Sequence, residues 1–346
     1  MQRALQNKDN GYKIIDDRSM IDEADWEAFI LEHPDGNIFQ SPDIVRFYEA
    51  TEEYQPVTFF SIDESGKVAG VLVAHIISEG KWLRRKLSSR AIVTGGPLVK
   101  QGEELCAVAL ISELKRKVSA EVTYCQVRNL NPTDNLYEVF LQCGFVYEEH
   151  LNILVDLTKS VEILKSELHP TRRKQINRAI RRGVEIMTPE KPDMETLNTC
   201  YSILSSVYRK AGLPLPSLAF FDEAFNVLCE KNRLKLFLAR HNENIIGFRY
   251  VLIYNDVIYD WFAGSRSDYN DKYPNDILPW SIIKWGNEHG FKVFDFGGAG
   301  HPAERYGIRD YKMKFGGVTV NYGRYLFINR PLVYYPAKYY MKLKTH

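Results

Sequence analysis

Two stretches, "FSIDESGKVAG" (Phe60–Gly70) and "FLARHNENIIG" (Phe237–Gly247), share one frame although 177 positions separate their starting phenylalanines (237 − 60). Each is an apolar strand end, a polar turn, and an apolar strand that begins near a glycine. The segments that follow, "VLVAHII" and "FRYVLIY", read as the returning strands of hairpins. The match continues in order. "VTYCQVRNL" (Val122–Leu130) and "KVFDFGGAG" (Lys292–Gly300) are short apolar strands, each after a helix-like segment, Glu103–Ala120 and Asn275–Gly290. One similar hairpin is unremarkable, but two similar segments in the same order indicate a duplication.

Each half therefore reads as helices, a meander of about three strands, a helix and further strand. The predicted class is α+β, two tandem domains that each hold a mixed β-sheet flanked by helices. A boundary near Leu157–Ser160, after the strand "LNILVDL", gives an N-terminal domain over 1–157 and a C-terminal domain over 158–346. A chain of 346 residues suits two cores better than one.

Composition narrows the function. A net charge of +1 provides no general attraction to a polyanion, so a nucleic-acid or phosphate contact requires a local patch. The five cysteines form no C-x-x-C pair, and the eight histidines form no H-x-x-H or H-E-x-x-H pattern, so no metal site is expected. No G-x-S-x-G elbow supports a nucleophilic serine. The start, "MQRALQNKDNGYKII", lacks the apolar core of a signal peptide, and no apolar run is long enough to span a bilayer. The expectation is a cytoplasmic protein. The tail "RPLVYYPAKYYMKLKTH" mixes tyrosine with lysine, which suits either peripheral membrane contact or packing across a sheet.

A local patch does occur. In "HPTRRKQINRAIRRGVEI" (His169–Ile186), Ile176 and Ile180 are expected to face the core, while Lys174, Arg178 and Arg181 form a stripe at helical spacing. No acid lies between Glu167 and Glu185, so the stripe reads either as a solvated face or as an unpaired cluster for phosphate or RNA. In "IYDWFAGSRSDYNDKYPNDILPWSIIKW" (Ile258–Trp285) a strand and polar loop lead to a helix capped by Asn275 or Asp276. The loop "NDKYPNDI" has no glycine, Pro274 removes an amide donor, and Asp271 and Asp276 are acidic. All three features disfavour the pyrophosphate of coenzyme A. Asp260 and Asp295 fall in the strands on either side of this helix. Asp295, directly before "FGG", is a candidate proton acceptor, whereas Asp260 reads as an aspartate bonded to local backbone amides. Finally, "GIRDYKMKFGG" (Gly307–Gly317) places glycines on both sides of Tyr311, Lys312 and Lys314, either as plain turns or to hold a cation near a reacting group.

These residues resemble the FemABX aminoacyltransferases, which add amino acids to peptidoglycan precursors. The likeness lies in "WFAGSRSDYNDKYPNDILPWSIIKWGNEHGFKVFDFGG" with "YKMKFGG", in "NIFQSPDIVRFYEAT" (Asn37–Thr51) and in "RRKQINRAIRRGV"; it is weak between Gly80 and His150. It implies twin GNAT-like domains and an aminoacyltransferase that uses aminoacyl-tRNA, with no separate cofactor, to modify a nucleotide- or lipid-linked muropeptide. The alternative is an N-acyltransferase that uses acyl-CoA or another carrier on an amino sugar or amine. The family's aromatic–lysine pair at the transfer site matches Tyr311 and Lys312, and its precursor-phosphate contacts match Arg46 and Arg178. Lys312 would steady the oxyanion, Tyr311 would pack on the acyl group or terminal ribose, and Trp261 and Asn275 fall in the matched substrate region. Ile44 stands where tryptophan is common, and the helical arm of some members is absent.

Overall fold

The computed structural model describes residues 12–78 and 88–344. Most of the polar N-terminal stretch, and the start of the weakly matching segment from Gly80, lie outside the described residues. The chain forms two compact units. One comprises residues up to Glu149 together with Tyr322 onward, and the other is His150–Asn321.

The first unit is built on β1 (Lys13–Ile15), β2 (Tyr54–Ile62), β3 (Val68–Ile77), β4 (Arg90–Thr94), β5 (Leu98–Val99), β6 (Tyr124–Arg128), β7 (Val146–Glu148) and β15 (Arg324–Ile328). Its sheet runs β1-β2-β3-β4-β6-β15-β7, with β5 paired beside β3. The β2–β3 turn is local chemistry. Asp63 accepts from the amides of Ser65 (2.9 Å) and Lys67 (3.1 Å), and Gly66 takes a φ of +84° that a side chain would resist. The helix Glu104–Val118 then carries the chain from β4 to β6, which pair in parallel over all five residues of each strand. Its Cys106, Leu110, Ile111 and Leu114 are buried against Leu72, Ala74 and Val93 of the sheet. Each such large aliphatic side chain contributes roughly 1.5–3 kcal/mol.

The second unit contains β8 (Leu151–Asp156), β9 (Val184–Met187), β10 (Leu234–His241), β11 (Asn244–Tyr254), β12 (Val257–Ser265), β13 (Val293–Gly298) and β14 (Val318–Asn321). The order is β14-β8-β13-β12-β11-β10-β9. The β10–β11 hairpin turns at Asn242, a residue type tolerated at its φ of +52°. The helix Pro274–Glu288 links β12 to β13, again a parallel pair. It lies close on the sheet: a Cβ at Gly286 would stand 2.6 Å from Ile258 Cδ1, and one at Gly247 3.0 Å from Pro274 Cβ.

The duplication read from sequence is thus present as two mixed sheets, each with a hairpin, a third strand, a crossover helix and a parallel partner. One exchange common to both copies and one difference between them stand out. First, the strand after β7 in the chain, β8, pairs in the second sheet, whereas β15, which follows β14, pairs in the first. Second, β12 pairs with β13 only over Val257–Tyr259 although it continues to Ser265, so these strands part beyond Tyr259. The pair β4–β6 shows no such parting.

Candidate active site

The parted strands gather the candidate residues. Tyr259 is the last β12 residue opposite β13, where its partner is Asp295. On its other edge β12 bulges: Tyr250 faces Phe262 and Val251 faces Asp260, which leaves Trp261 extra. β13 is irregular as well, slipping against β8 between Asp295 and Gly298. Gly297 adopts a φ of +71°, and its amide donates to Asp295 Oδ1 at 2.6 Å.

Lys312 closes this irregular stretch. It lies on the helix Gly307–Met313, and its Nζ donates to the carbonyls of Phe296 (2.6 Å) and Gly298 (2.9 Å). An ammonium has three donors, so one N–H remains. Burial pulls the Lys312 pKa down, Asp260 and Asp295 oppose that, and Arg249 adds to it. Burial raises the Asp295 carboxyl to about 6, against the amide of Gly297, the charge of Lys312 and a bond with Asn152. Its ionisation therefore falls near neutrality.

Next to Lys312, Tyr311 is held from two sides. Its hydroxyl accepts from Arg249 Nη2 at 3.1 Å and donates to the carbonyl of Asn275. Arg249 also donates through Nη1 to Asp260 Oδ2, with side chains only 6% and 9% exposed. Burial raises the Tyr311 pKa, so the hydroxyl stays protonated. Arg172 lies over the Tyr311 ring, 4.9 Å from its centre, and Phe315 meets the ring edge at 5.3 Å.

The glycines around this helix differ in purpose. Gly316 has a φ of +85°, and a Cβ on Gly317 would stand 2.6 Å from Ile153 Cγ2 and 3.0 Å from the Leu154 carbonyl. Gly307 opens the helix, and a Cβ there would meet nothing within 4 Å. Only the pair after the lysine is forced by geometry.

Several local expectations need correction. The helix Pro170–Arg181 buries Ile176, but Ile180 is 58% exposed. Its basic residues are not an unpaired set: Arg172 is paired with Asp276, and Arg182 with Asp271. Both acids come from the loop and helix start that pack beside it, far away in sequence. Lys174 and Arg181 are exposed, and Arg178 reaches the Tyr273 hydroxyl at 3.4 Å. The cap of Pro274–Glu288 is Tyr273, in the left-handed region at φ +58°, rather than Asn275 or Asp276. Asn275 Nδ2 instead donates to Ser265 Oγ at 2.7 Å. Asp260 bonds a guanidinium rather than local amides.

The structure brings Tyr311, Lys312, Asp295 and Asn275 together in the second unit. Trp261 sits in an aromatic cluster with Phe262 (4.8 Å) and Phe220 (5.8 Å). Arg46 belongs to the first unit and is paired with Glu23 and Asp43. An open cleft of about 850 Å³ adjoins the end of β12, lined by Ser265, Arg266, Asp268, Asn198, Thr199 and Ser202 among others. Of its lining, Ser265 Oγ accepts from Asn275, whose carbonyl in turn accepts from the Tyr311 hydroxyl. Among the described residues no group of three His, Cys, Asp or Glu could hold a metal ion, and no helix is long and apolar enough to cross a membrane.

Reading along the chain passes over Arg249, Arg172 and the role of Asp260. The first did carry a signal: it is a lone charge inside the apolar strand "GFRYVLIY", with an aspartate eleven residues later in the next strand. A buried charge in such a strand demands a partner.

A family model described as an acetyltransferase (GNAT) domain matches residues 170–313. Among curated proteins, a lipid II:glycine glycyltransferase of Staphylococcus haemolyticus (strain JCSC1435) is 18% identical over 379 aligned positions, covering 84% of this chain and 87% of the relative. The crystal structure of FemX superposes with a TM-score of 0.70 at 17% identity, covering 90% of this chain and 97% of FemX. A tandem GNAT protein from the clavulanic acid biosynthesis pathway gives 0.58 at 11% identity, over 92% and 99%. The resemblance to the FemABX aminoacyltransferases is borne out, and the twin GNAT fold with it. The chain is an acyltransferase.

Proposed function

We propose that this acyltransferase moves an aminoacyl group from aminoacyl-tRNA to an amine of a peptidoglycan precursor. One observation carries the reading: the Lys312 ammonium, anchored by two backbone carbonyls and favoured by the charges of Asp260 and Asp295, keeps one N–H unspent. In the transfer the amine nitrogen attacks the ester carbonyl, the bond to the ribose oxygen breaks, and negative charge passes through the carbonyl oxygen. A fixed cation there stabilises the transition state more than the ground state, by about 3 kcal/mol by analogy with oxyanion donors. Asp295, titrating near neutrality, is the candidate acceptor for the proton the amine loses. The proton then reaches the departing ribose hydroxyl.

Two further observations support a donor other than acyl-CoA. At the start of the helix Pro274–Glu288, Pro274 has no amide hydrogen, and the buried Asp276 carboxylate occupies the first turn. Neither suits a pyrophosphate. Beside it, Lys174, Arg178 and Arg181 offer a basic face for nucleic-acid or precursor phosphate, while Arg46 would first have to release Glu23. The relative's name, lipid II:glycine glycyltransferase, supports a lipid-linked acceptor. The helix Pro331–Lys344, with Leu332, Tyr335 and Tyr339 exposed, suits peripheral contact with a membrane carrying such an acceptor.

The test is a transfer assay with charged tRNAs and with nucleotide- and lipid-linked muropeptides, wild type beside Lys312→Ala. The reading expects product that depends on both tRNA and Lys312. The second reading, acyl-CoA-dependent N-acylation, is favoured by the GNAT acetyltransferase match at residues 170–313. Tight coenzyme A binding by calorimetry, with acyl-CoA turnover and no tRNA-dependent product, would replace the first reading with the second.

A further inference from the structure

The two copies of the fold provide an internal control. The frames aligned at Gly70 and Gly247 place Arg249 where the first sheet has Leu72. They likewise match Val251 to Ala74, and across the ladder Val251 pairs with Asp260 as Ala74 pairs with Val93. Leu72 is 1% exposed and Val93 fully buried, both inside the first unit's apolar core. The same two places in the same architecture are therefore filled by aliphatic side chains in one unit and by an ion pair in the other.

The fold does not need that pair, and charge burial is costly unless well compensated. Compensation is incomplete here. Arg249 Nε and Asp260 Oδ1 are buried without hydrogen-bond partners. The pair leads towards the transfer centre on both sides: Arg249 Nη2 donates to the Tyr311 hydroxyl at 3.1 Å, and Asp260 follows Tyr259, whose β13 partner Asp295 directly precedes Phe296, the residue whose carbonyl holds Lys312. The charge of Asp260 also favours the Lys312 ammonium.

We propose that Arg249 and Asp260 are positioning residues of the transfer centre, Arg249 fixing the Tyr311 hydroxyl and Asp260 supplying a negative charge on the strand beside the Phe296 carbonyl that holds Lys312. Asp260 sits at the point where β12 leaves β13, so its charge lies at the mouth of the parted strands. The charged groups acting on Lys312 are Asp260, Arg249 and Asp295, with burial pulling its pKa the other way. Without Asp260, burial and Arg249 are opposed by Asp295 alone, and the lysine loses its proton at lower pH. Arg249 acts through geometry. A lysine in its place keeps a cation for Asp260 but cannot bridge both partners with one planar fork.

This inference rests on the reading that Lys312 serves the transfer step, so its experiment has a readout independent of turnover. Competitive labelling with an amine-reactive reagent across pH 6–11, read by mass spectrometry at Lys312, gives its titration in the full chain; exposed Lys174 is the control. In Asp260→Asn, Lys312 is expected to titrate at lower pH than in the wild type, with more labelling on the acid side of the curve. Lys174 is expected not to change. In the transfer assay kcat should fall about tenfold with KM little changed, and the alkaline limb of the pH profile should move down together with the Lys312 titration. Asp260→Glu should restore both. Arg249→Lys should lower kcat while leaving the Lys312 titration close to wild type. If Asp260→Asn does not fold, Arg249→Lys and Asp260→Glu carry the test, and an Arg249→Lys variant with unchanged kcat would then overturn the proposal. Coincident Lys312 titrations in folded wild type and variant would overturn the proposal. A wild type silent with every donor, but with a Lys312 titration that shifts as described, would instead sink the transfer reading and leave the pair's effect on Lys312 standing.

Discussion

Replacing Lys312 with methionine separates a catalytic cation from a structural clamp. Methionine keeps an unbranched stem of similar reach and removes all three donors. The carbonyls of Phe296 and Gly298, bonded at 2.6 and 2.9 Å in the native protein, then lose their partner at the point where β13 slips against β8. Each carbonyl left unsatisfied costs about 1–3 kcal/mol, partly offset because a desolvated ammonium is no longer buried. A net destabilisation of about 2 kcal/mol follows. Against a typical total of about 5–15 kcal/mol, well over about 99% of molecules stay folded. Any large loss of transfer is then chemical. If the remaining N–H binds the developing oxyanion, kcat should fall by about 10²–10³. Urea unfolding gives the first quantity, and single-turnover aminoacyl transfer at saturating acceptor gives the second. A variant destabilised by about 2 kcal/mol yet within threefold of wild-type kcat would refute the oxyanion role and leave Lys312 as a clamp.

Three more outcomes are expected. Asp295 titrates in the folded protein at about 6, above its ordinary 3.8, so the native state holds its proton to higher pH than the unfolded chain does and stability falls as pH rises between those values. Asp295→Asn should flatten that slope and be more stable than wild type by about 3 kcal/mol at pH 8, as read from urea midpoints at pH 4 to 8. Arg172→Met strands the Asp276 carboxylate, whose side chain is only 7% exposed, and should cost about 3–5 kcal/mol; adding Asp276→Leu should recover most of it, and a loss that persists in the double variant would contradict the argument. Gly317→Ala forces its Cβ against Ile153 and the Leu154 carbonyl and should destabilise by about 1–3 kcal/mol, whereas Gly307→Ala, in open space at the helix start, should be neutral or stabilising by up to about 1 kcal/mol. Equal thermal shifts for the two alanines would count against the assignment of strain to Gly317.

Much of the architecture is visible along the chain because it is encoded locally. Asp63, Ser65 and Gly66 make a turn from neighbouring atoms, and Asn242 does the same in the other copy, so two hairpins are legible as a repeat. The crossover helices are legible too, because a helix must return the chain to a parallel strand. Less legible were the ends. Tyr273, rather than an Asn or Asp, precedes the helix Pro274–Glu288, since a neighbouring backbone turn does the work of a capping side chain.

By itself, the sequence determined two copies of one α+β plan and the turn chemistry that shapes each hairpin, and it marked glycine-flanked Tyr311 and Lys312 as candidate residues. Only the tertiary structure decided that β8 pairs in the second sheet and β15 in the first, that β12 and β13 part beyond Tyr259, and that Arg172 and Arg182 find acids 104 and 89 positions away. It also decided that Arg249 and Asp260 stand where the other unit has Leu72 and Val93. The reason is physical: hydrogen bonds within a turn are set by adjacent residues, whereas strand register and buried charge pairing depend on which distant surfaces the folded chain brings within a few ångströms.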